Sequence, residues 1–276
     1  MSETQRAAVE VFRSLHAEGC FVLPNPWDVG SAMYLRHLGF KALATTSSGF
    51  AFSRGMLDEA PAVDAVLEHV RDIVHATPLP VNADFRHGYA DEPEGVAENV
   101  TRCVATGTAG LSIEDSTGNR ETPLYDIQLA VERIKAARRA IDTSGVPVVL
   151  TGRCEAFLTR DRNAFIVSLQ RLIAYADAGA DCLYAPGVTD PGQIAEIVRE
   201  VSPKPVNVLV SRPDPNLTVA KLADLGVRRI SVGSALARVA WGSFMRAAQS
   251  IASTGTFDAL GEGAAFAELN QIFERS

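Results

Sequence analysis

Short apolar segments rich in β-branched residues alternate with amphipathic helical segments along most of the chain. Eight such segments are bounded by Gly, Pro or Asp, and the intervals between them carry apolar residues at helical spacing, as in AVDAVLEHVRDIVHA and LAVERIKAARRAI. The segments are continuously apolar rather than alternating, which is typical of parallel strands covered on both faces. The predicted strands are Phe21–Pro24, Ala42–Thr46, Pro80–Ala83, Leu111–Glu114, Val146–Thr151, Cys182–Ala185, Val206–Val210 and Arg229–Val232.

Eight strand–helix units predict an α/β fold of the (β/α)₈ TIM-barrel type, with residues 1–276 forming a single domain. An open doubly wound sheet is the alternative, but it usually has fewer strands and a glycine-rich first turn. Neither GxGxxG nor GxxxxGK[ST] occurs in the sequence. A helix before the first strand, at about 3–17, and two after the last, at about 235–252 and 263–274, are predicted in addition.

Composition and charge narrow the possible partners. The 276 residues include 26 Lys and Arg against 33 Asp and Glu, a formal net charge of −7. This acidic balance argues against a nucleic acid or an anionic membrane as partner, because either requires a basic face. No uncharged run approaches the roughly 20 residues needed to cross a bilayer, and the polar N-terminus does not resemble a secretory signal. The protein is therefore expected to be cytoplasmic.

Polar residues collect where the predicted strands end, which is where the active site of a barrel lies. Asp84, Glu114 and Arg153 follow three successive strands, and Asn207 lies in the seventh strand and is predicted to contact substrate. For Asp28 and Asp115, a helix cap and a catalytic role both stay open.

These residues suggest one chemistry. Asp84 and Glu114 could hold Mg²⁺ through oxygen ligands and waters, and Arg153 could bind a substrate carboxylate through two hydrogen bonds. The run 47–50, Ser-Ser-Gly-Phe, is predicted to be a tight turn whose backbone N–H groups form an anion cradle. Metal, arginine and cradle together would stabilise an enolate next to a carboxylate.

Other barrel chemistries lack their residues. Lysines at 41 and 204 precede strands and those at 135 and 221 lie on helices, so a Schiff-base aldolase is disfavoured. Only His87 among the five histidines is near a strand end, which disfavours a histidine-rich metal centre. Gly233 and Ser234 could bind phosphate, as in a phosphosugar enzyme, but a tight turn is the preferred interpretation.

Seven segments resemble the isocitrate lyase and phosphoenolpyruvate mutase superfamily, and more narrowly its short, mutase-like (phosphonomutase) branch. The resemblance covers most of the chain, and it is specific only when the segments are taken together. They are PNPWDVGSA (24–32), TTSSGFA (45–51), DFRHGYAD (84–91), SIEDSTG (112–118), TGRCEAFL (151–158), ADCLYAPG (180–187) and LGVRRISVGSALAR (225–238).

The resemblance implies roles for individual residues. Asp84 is similar to the direct Mg²⁺ ligand of the superfamily, and Asp58 and Glu114 to carboxylates that hold metal-bound waters. Arg153 resembles the arginine that binds the substrate carboxylate, with Glu155 as its orienting partner. The backbone cradle for the substrate corresponds to Ser48, Gly49 and Phe50. The resemblance also implies that the last barrel helix is swapped between subunits of a homodimer or homotetramer.

Two departures from the superfamily pattern bear on the reaction. Arg86 stands where a second acid usually follows the metal-binding Asp, which weakens the electrostatic case for a divalent cation unless its side chain binds substrate instead. The loop after the fourth strand reads Ser-Thr-Gly-Asn-Arg at 116–120, without the Cys of the lyases or the Lys of the mutase. Isocitrate-type cleavage and the mutase reaction are thus disfavoured, although Asn119 and Arg120 could partly substitute.

The expected function is that of a Mg²⁺-dependent lyase that makes or breaks a carbon–carbon bond next to the carboxylate of a small 2-oxo or 2-hydroxy acid, through an enolate. A carbon–phosphorus mutase or hydrolase of the phosphonopyruvate type is one alternative. A catalytically silent barrel that binds a small acid is another, motivated by Arg86 and the loop without Cys or Lys.

Overall fold

The computed structural model describes residues 2–274 and contains eight parallel strands in a nearly closed barrel, so the predicted (β/α)₈ fold is confirmed. The strands are β1 Phe21–Leu23, β2 Leu43–Ala44, β3 Val81–Asp84, β4 Gly110–Glu114, β5 Val149–Arg153, β6 Cys182–Tyr184, β7 Val206–Leu209 and β8 Arg229–Ser231. Every predicted strand overlaps an observed one. The second is shorter than predicted because Thr46 already caps a helix.

Helices follow each strand and cover the barrel. They are α1 Glu3–Ala17, α2 Val29–His37, α3 Ser47–Ser53, α4 Val63–His75, α5 Pro93–Val104, α6 Ile127–Ser144, α7 Ala164–Asp177, α8 Pro191–Glu200, α9 Val219–Asp224, α10 Ala235–Thr254 and α11 Phe266–Glu274, with a 3₁₀ helix at Asp258–Glu262. Two helices, α3 and α4, thus lie between β2 and β3, and the short α3 lies directly at the barrel mouth. The predicted N-terminal and C-terminal helices correspond to α1, α10 and α11.

One asparagine helps to close the barrel between its first and second strands. The strands are ordered β1-β8-β7-β6-β5-β4-β3-β2, so β1 and β2 form the seam. There, Ala44 N–H donates to the Pro24 carbonyl at 3.0 Å, and Asn25 Nδ2 donates to the Thr45 carbonyl at 2.9 Å. Asn25 Oδ1 accepts from the N–H of Gly233 at 2.8 Å. Since that N–H is engaged within the fold, the tight-turn interpretation of Gly233 is favoured over a phosphate site.

Helix α1 closes the opposite, N-terminal end of the barrel. Phe12 is fully buried, and its ring meets that of Phe21 edge-on at 6.2 Å. His16 Nδ1 lies 2.7 Å from the Phe12 carbonyl, which can only accept, so this nitrogen carries the proton. His16 Nε2 therefore accepts from Arg229 Nη1 at 3.2 Å, and the ring is held in its neutral form. Burial first, and Arg229 and Arg13 next, lower the pKa of His16 to about 3.

This buried histidine predicts an acid-sensitive fold. Because the pKa of His16 is lower in the folded state than its unfolded value of 6.5, the unfolded state binds more protons, and stability falls as the pH drops from about 6.5 toward about 3. We expect the free energy of unfolding to fall by up to about 3 kcal/mol between pH 7 and pH 4. Urea unfolding of wild type and His16→Gln at several pH values checks this. Equal pH slopes for the two proteins would contradict it.

The C-terminal helices leave a broad apolar surface on the chain. Ala237 is the one residue of α10 that is buried, whereas Phe244 and Met245 are about three-fifths exposed, at 61% and 60%. Helix α11 packs against α2 of its own chain. The swapping of a helix between subunits stays a prediction. Within residues 2–274, none of the helices combines the length and apolarity needed to cross a bilayer.

Candidate active site

A buried arginine surrounded by three carboxylates lies at the carboxyl end of the barrel strands. Arg153 ends β5 beside Glu114, its register partner at the end of β4, and Asp84 ends β3. Arg153 Nε lies 2.5 Å from Glu155 Oε1 and 3.3 Å from Glu114 Oε2, and Arg153 Nη1 lies 3.3 Å from Asp84 Oδ1. The structure thus brings four of the predicted site residues into direct contact.

The charges in this cluster do not balance. Three carboxylates face one guanidinium, and Glu114 and Glu155 are each 7% exposed. Burial, which outweighs the attraction of Arg153, raises the pKa values of Glu114 and Glu155. Burial also opposes the charge of Arg153, but the surrounding carboxylates together raise the pKa of the guanidinium above its ordinary value. Arg153 alone therefore does not offset the burial of these carboxyl groups, which favours their protonated form, and a further bound cation would favour the ionised form.

Asp84 is held between β2 and α3 by backbone and hydroxyl groups. Its Oδ2 accepts from Ser47 N–H at 2.9 Å, at the start of α3, and its own N–H donates to Thr45 Oγ1 at 2.9 Å. A carboxylate at a helix N-terminus is favoured by the helix dipole. The side chain is therefore fixed between that helix and Arg153.

Asp58 lies in the irregular segment between α3 and α4 and turns toward the same mouth. Its Oδ2 accepts from Ser48 Oγ at 2.7 Å, and its backbone carbonyl accepts from Arg86 Nη1 at 2.9 Å. Asp58 Oδ1 is buried and has no hydrogen-bond partner among residues 2–274. A buried carboxylate oxygen without a partner is costly, and a bound water or ligand donor would satisfy it.

The predicted anion cradle forms the first turn of helix α3 rather than a free turn. Thr46 is the N-cap, and its Oγ1 accepts from Gly49 N–H at 3.2 Å while its carbonyl accepts from Phe50 N–H at 3.0 Å. Two of the three predicted cradle N–H groups are thus already bonded within the turn. The helix N-terminus and the Ser48 hydroxyl are what this segment presents to the mouth.

Gly49 is required by packing. A Cβ at this position would lie 2.6 Å from Thr46 Cγ2 and 3.0 Å from Trp27 Cβ, so a larger residue would displace α3. Phe50, the next residue, stacks on the His69 ring with 4.2 Å between centroids. These contacts fix the height of α3 above the mouth.

Asn207 lies inside the barrel beneath the charged cluster. Its Nδ2 donates to Ser231 Oγ at 2.9 Å, and its Oδ1 accepts from Arg229 Nε at 2.9 Å. Together with Arg153 and Tyr184 it lines a small polar cavity of about 40 Å³, room for water rather than for a substrate. Contact between Asn207 and substrate stays a prediction.

Asp28 and Asp115, for which a helix cap and a catalytic role were both open, have different contacts in the structure. Asp28 caps α2, since its Oδ1 accepts from Ser31 N–H at 2.7 Å. Asp115 is buried and accepts from the Tyr175 hydroxyl at 2.6 Å and from the N–H of Glu155 at 2.8 Å. Asp115 is therefore a structural residue that fixes the position of Glu155.

Tyr184 is a site residue that the sequence reasoning missed. It ends β6, and its ring centroid lies 5.1 Å from Arg153 Cζ, at cation–π distance. The sequence did contain a signal for it, because a tyrosine, an aromatic residue with a polar hydroxyl, lies near the end of the predicted sixth strand.

The carboxylates fit a hydrated magnesium ion better than a preformed metal cage. Among residues 2–274 no three His, Cys, Asp or Glu side chains converge as a complete set of metal ligands. Mg²⁺ usually binds proteins through one or two carboxylates and keeps several waters. Asp84 and Glu114 supply such oxygens, and the unpartnered Asp58 Oδ1 is a free acceptor for a water.

Comparison with known proteins places the chain. Residues 12–252 match the family model described as phosphoenolpyruvate phosphomutase. An uncharacterised protein of Mycobacterium tuberculosis is 37% identical over 224 residues, 81% of each chain. Oxaloacetate decarboxylase of Pseudomonas entomophila is 32% identical over 240 residues, 81% of this chain and 78% of the relative. A crystal structure of a candidate lyase/mutase from Burkholderia cenocepacia superposes with a TM-score of 0.94 at 45% identity, covering 99% of this chain and 97% of that one.

Proposed function

The chain belongs to the phosphoenolpyruvate phosphomutase family, and from that premise we propose that it is a Mg²⁺-dependent lyase acting on a small 2-oxo or 2-hydroxy acid. The bond made or broken is a carbon–carbon bond next to the substrate carboxylate, and the intermediate is an enolate. The relatives with a named activity include oxaloacetate decarboxylase and 2-methylisocitrate lyase, which supports an enzyme over a silent acid-binding barrel.

One observation carries the proposal: Asp84, Glu114 and Glu155 converge on the buried Arg153 at the strand ends. The arrangement places a guanidinium that can bind an anionic substrate beside carboxylates that can bind a divalent ion. Neither a lysine for imine chemistry nor a cysteine lies in this cluster, so charge stabilisation is the mechanism best supported by the residues.

Asp84 would hold the ion directly, and Glu114 and Asp58 would hold its waters. When bound, Mg²⁺ would supply positive charge where the enolate oxygen develops. The surplus of carboxylates around Arg153 and the unpartnered Asp58 Oδ1 support this assignment.

The protein's own groups would orient the substrate. Arg153 lies where its guanidinium can face the substrate carboxylate, and Tyr184 supports that guanidinium from below. Glu155 is fixed by the hydrogen bond from its N–H to Asp115 and in turn fixes Arg153 Nε. Helix α3 directs its N-terminal end toward the same space, where a developing anion would be stabilised. Water would supply the proton that completes the reaction.

A carbon–phosphorus mutase or hydrolase is the second candidate, favoured by the name of the matching family model. Asn119 and Arg120 lie exposed on the loop after β4, where they could meet a phosphonate. The same cluster could serve both reactions, so the two candidates are distinguished by which substrate the protein turns over.

Turnover on a small substrate panel tests the proposal. Oxaloacetate, malate-type acids and phosphonopyruvate are incubated with the protein and Mg²⁺, pyruvate is measured by a coupled assay, and phosphorus products by ³¹P NMR. We expect pyruvate from a four-carbon acid, and loss of that activity on chelation of the metal. Absence of turnover on every acid, together with no Mg²⁺ binding by calorimetry, would refute the proposal. Phosphoenolpyruvate formation would establish the second candidate instead.

A further inference from the structure

Part of the hydrogen-bonding capacity of Arg153 is used by the protein itself. Its Nε serves Glu155 and Glu114, and its Nη1 serves Asp84. A guanidinium has five N–H donors in a fixed plane, so the Nε–H and one Nη1–H serve these carboxylates, and the edge formed by Nη1 and Nη2 is left for a ligand. That edge matches one substrate carboxylate, so a second anionic group on the substrate would have to find its donors elsewhere in the mouth.

Arg86 is the other arginine beside the mouth, and the chain holds it in an unusual backbone conformation. Arg86 and Tyr89 both have positive φ angles, 47° and 55°, which are costly for residues other than glycine. The loop is fixed from outside by Asn99 Nδ2, which donates to the Gly88 carbonyl at 2.9 Å, and by the buried Arg133, which donates to other carbonyls of the loop. Such conformations persist where the surroundings enforce them, and they cluster at functional sites.

The guanidinium of Arg86 is mostly buried yet weakly engaged. Its side chain is 12% exposed, and its Nη1 donates to one neutral acceptor, the Asp58 carbonyl. The nearest carboxylate is Glu59, with Oε1 at 3.9 Å from Arg86 Nη2, and that side chain is 68% exposed. An ion pair of this length with an exposed partner contributes little. Arg86 therefore keeps donors that an incoming anion can use.

We propose that Arg86 is a specificity-determining residue that binds the second anionic group of a dianionic 2-oxo acid. This inference rests on the proposed function and adds a requirement for two anionic groups on the substrate. Arg86 follows Asp84 by two residues and bonds to Asp58, so an anion bound to it lies at the same mouth as the metal-binding carboxylates. The substrate anion replaces Glu59 as the partner of the guanidinium. A carboxylate and a phosphonate both suit this geometry.

Binding of ligand pairs that differ in the second group tests the inference. Pyruvate carries a single carboxylate, and oxalate carries its second carboxylate on the adjacent carbon, where it mimics the enolate. 3-Sulfopyruvate adds to the pyruvate skeleton a sulfonate on C3, which cannot be lost as CO₂. Dissociation constants are measured by calorimetry with Mg²⁺ present, for wild type, Arg86→Gln, Arg86→Lys and Glu59→Gln. Melting temperatures of all four proteins are compared first, because the strained loop makes folding a necessary control.

We expect Arg86→Gln to weaken 3-sulfopyruvate binding by at least about tenfold and to change oxalate and pyruvate binding by less than about threefold. Arg86→Lys should recover part of the loss, and Glu59→Gln should bind 3-sulfopyruvate as tightly as wild type or more tightly. Equal losses for all three ligands in Arg86→Gln, or no loss for any, would overturn the inference.

Failure of the proposed function has a different signature, since wild type would then bind none of the three ligands in the presence of Mg²⁺. Turnover of oxaloacetate and phosphonopyruvate by wild type and Arg86→Gln identifies the anion. The substrate whose kcat/KM falls more in the variant carries the group that Arg86 binds, and a fall for neither contradicts the assignment.

Discussion

Replacing Asp84 by asparagine is expected to lower kcat/KM by about 1000-fold, equivalent to about 4 kcal/mol of transition-state stabilisation. Asparagine keeps the shape of the side chain and an oxygen that can accept from Ser47 N–H, but it removes the charge that would hold the metal ion. Mg²⁺ binding measured by calorimetry should weaken in parallel. The comparison uses the oxaloacetate assay and saturating Mg²⁺.

The stability of Asp84→Asn separates this effect from damage to the fold. Three carboxylates share Arg153, so removing one charge relieves repulsion with Glu114 and Glu155. We expect the free energy of unfolding to stay equal to that of wild type or to rise. Asp64→Asn, at an exposed position paired with Arg102, is the matched control and should keep wild-type activity. An active Asp84→Asn protein would remove this residue from the mechanism.

Replacing Arg153 by glutamine is expected to cause the largest loss of stability in the site, about 3–5 kcal/mol. The change leaves the buried carboxylates of Glu114 and Glu155 without a cation, and burial already raises their pKa values when the arginine is present. Activity should be lost as well, because the substrate carboxylate loses its partner. Urea unfolding and the oxaloacetate assay measure the two effects.

Arg153→Lys distinguishes charge from geometry. A lysine ammonium restores the positive charge, but it has a single nitrogen. That nitrogen cannot replace both Nε, which contacts Glu155, and Nη1, which contacts Asp84. We expect stability between those of wild type and Arg153→Gln, with activity still lost. If both variants were as stable as wild type, the carboxylates would have to be neutral, and the account of the cluster's electrostatics would be wrong.

The barrel could be predicted from the sequence because its signal is repeated. Each buried strand is a continuous apolar run, and each interval has helical periodicity, so errors at one strand do not change the count. The end of β2 illustrates the limit. Thr45 and Thr46 fit a strand by propensity, but the Thr46 hydroxyl caps α3, and this hydrogen bond depends on where the chain turns.

The charged centre of the site was also predictable, since Asp84, Glu114 and Arg153 follow strands that must end at the same edge of a barrel. Their partners were not. That Arg153 is shared by three carboxylates, or that Asp115 supports Glu155, depends on side-chain directions that a linear sequence does not contain. Arg86 was recognised as a departure from the family pattern, but only the structure shows that its guanidinium turns toward Asp58.

A crystal structure of the protein grown with Mg²⁺ and oxalate, a mimic of the enolate, tests the central claim most directly. We predict a metal ion about 2.1 Å from a carboxylate oxygen of Asp84, with waters bridging to Glu114 and Asp58, and oxalate bound between that ion, Arg153 and the start of α3. Metal and oxalate absent from the mouth, or bound elsewhere with the Arg153–Asp84 pair unchanged, would contradict the account.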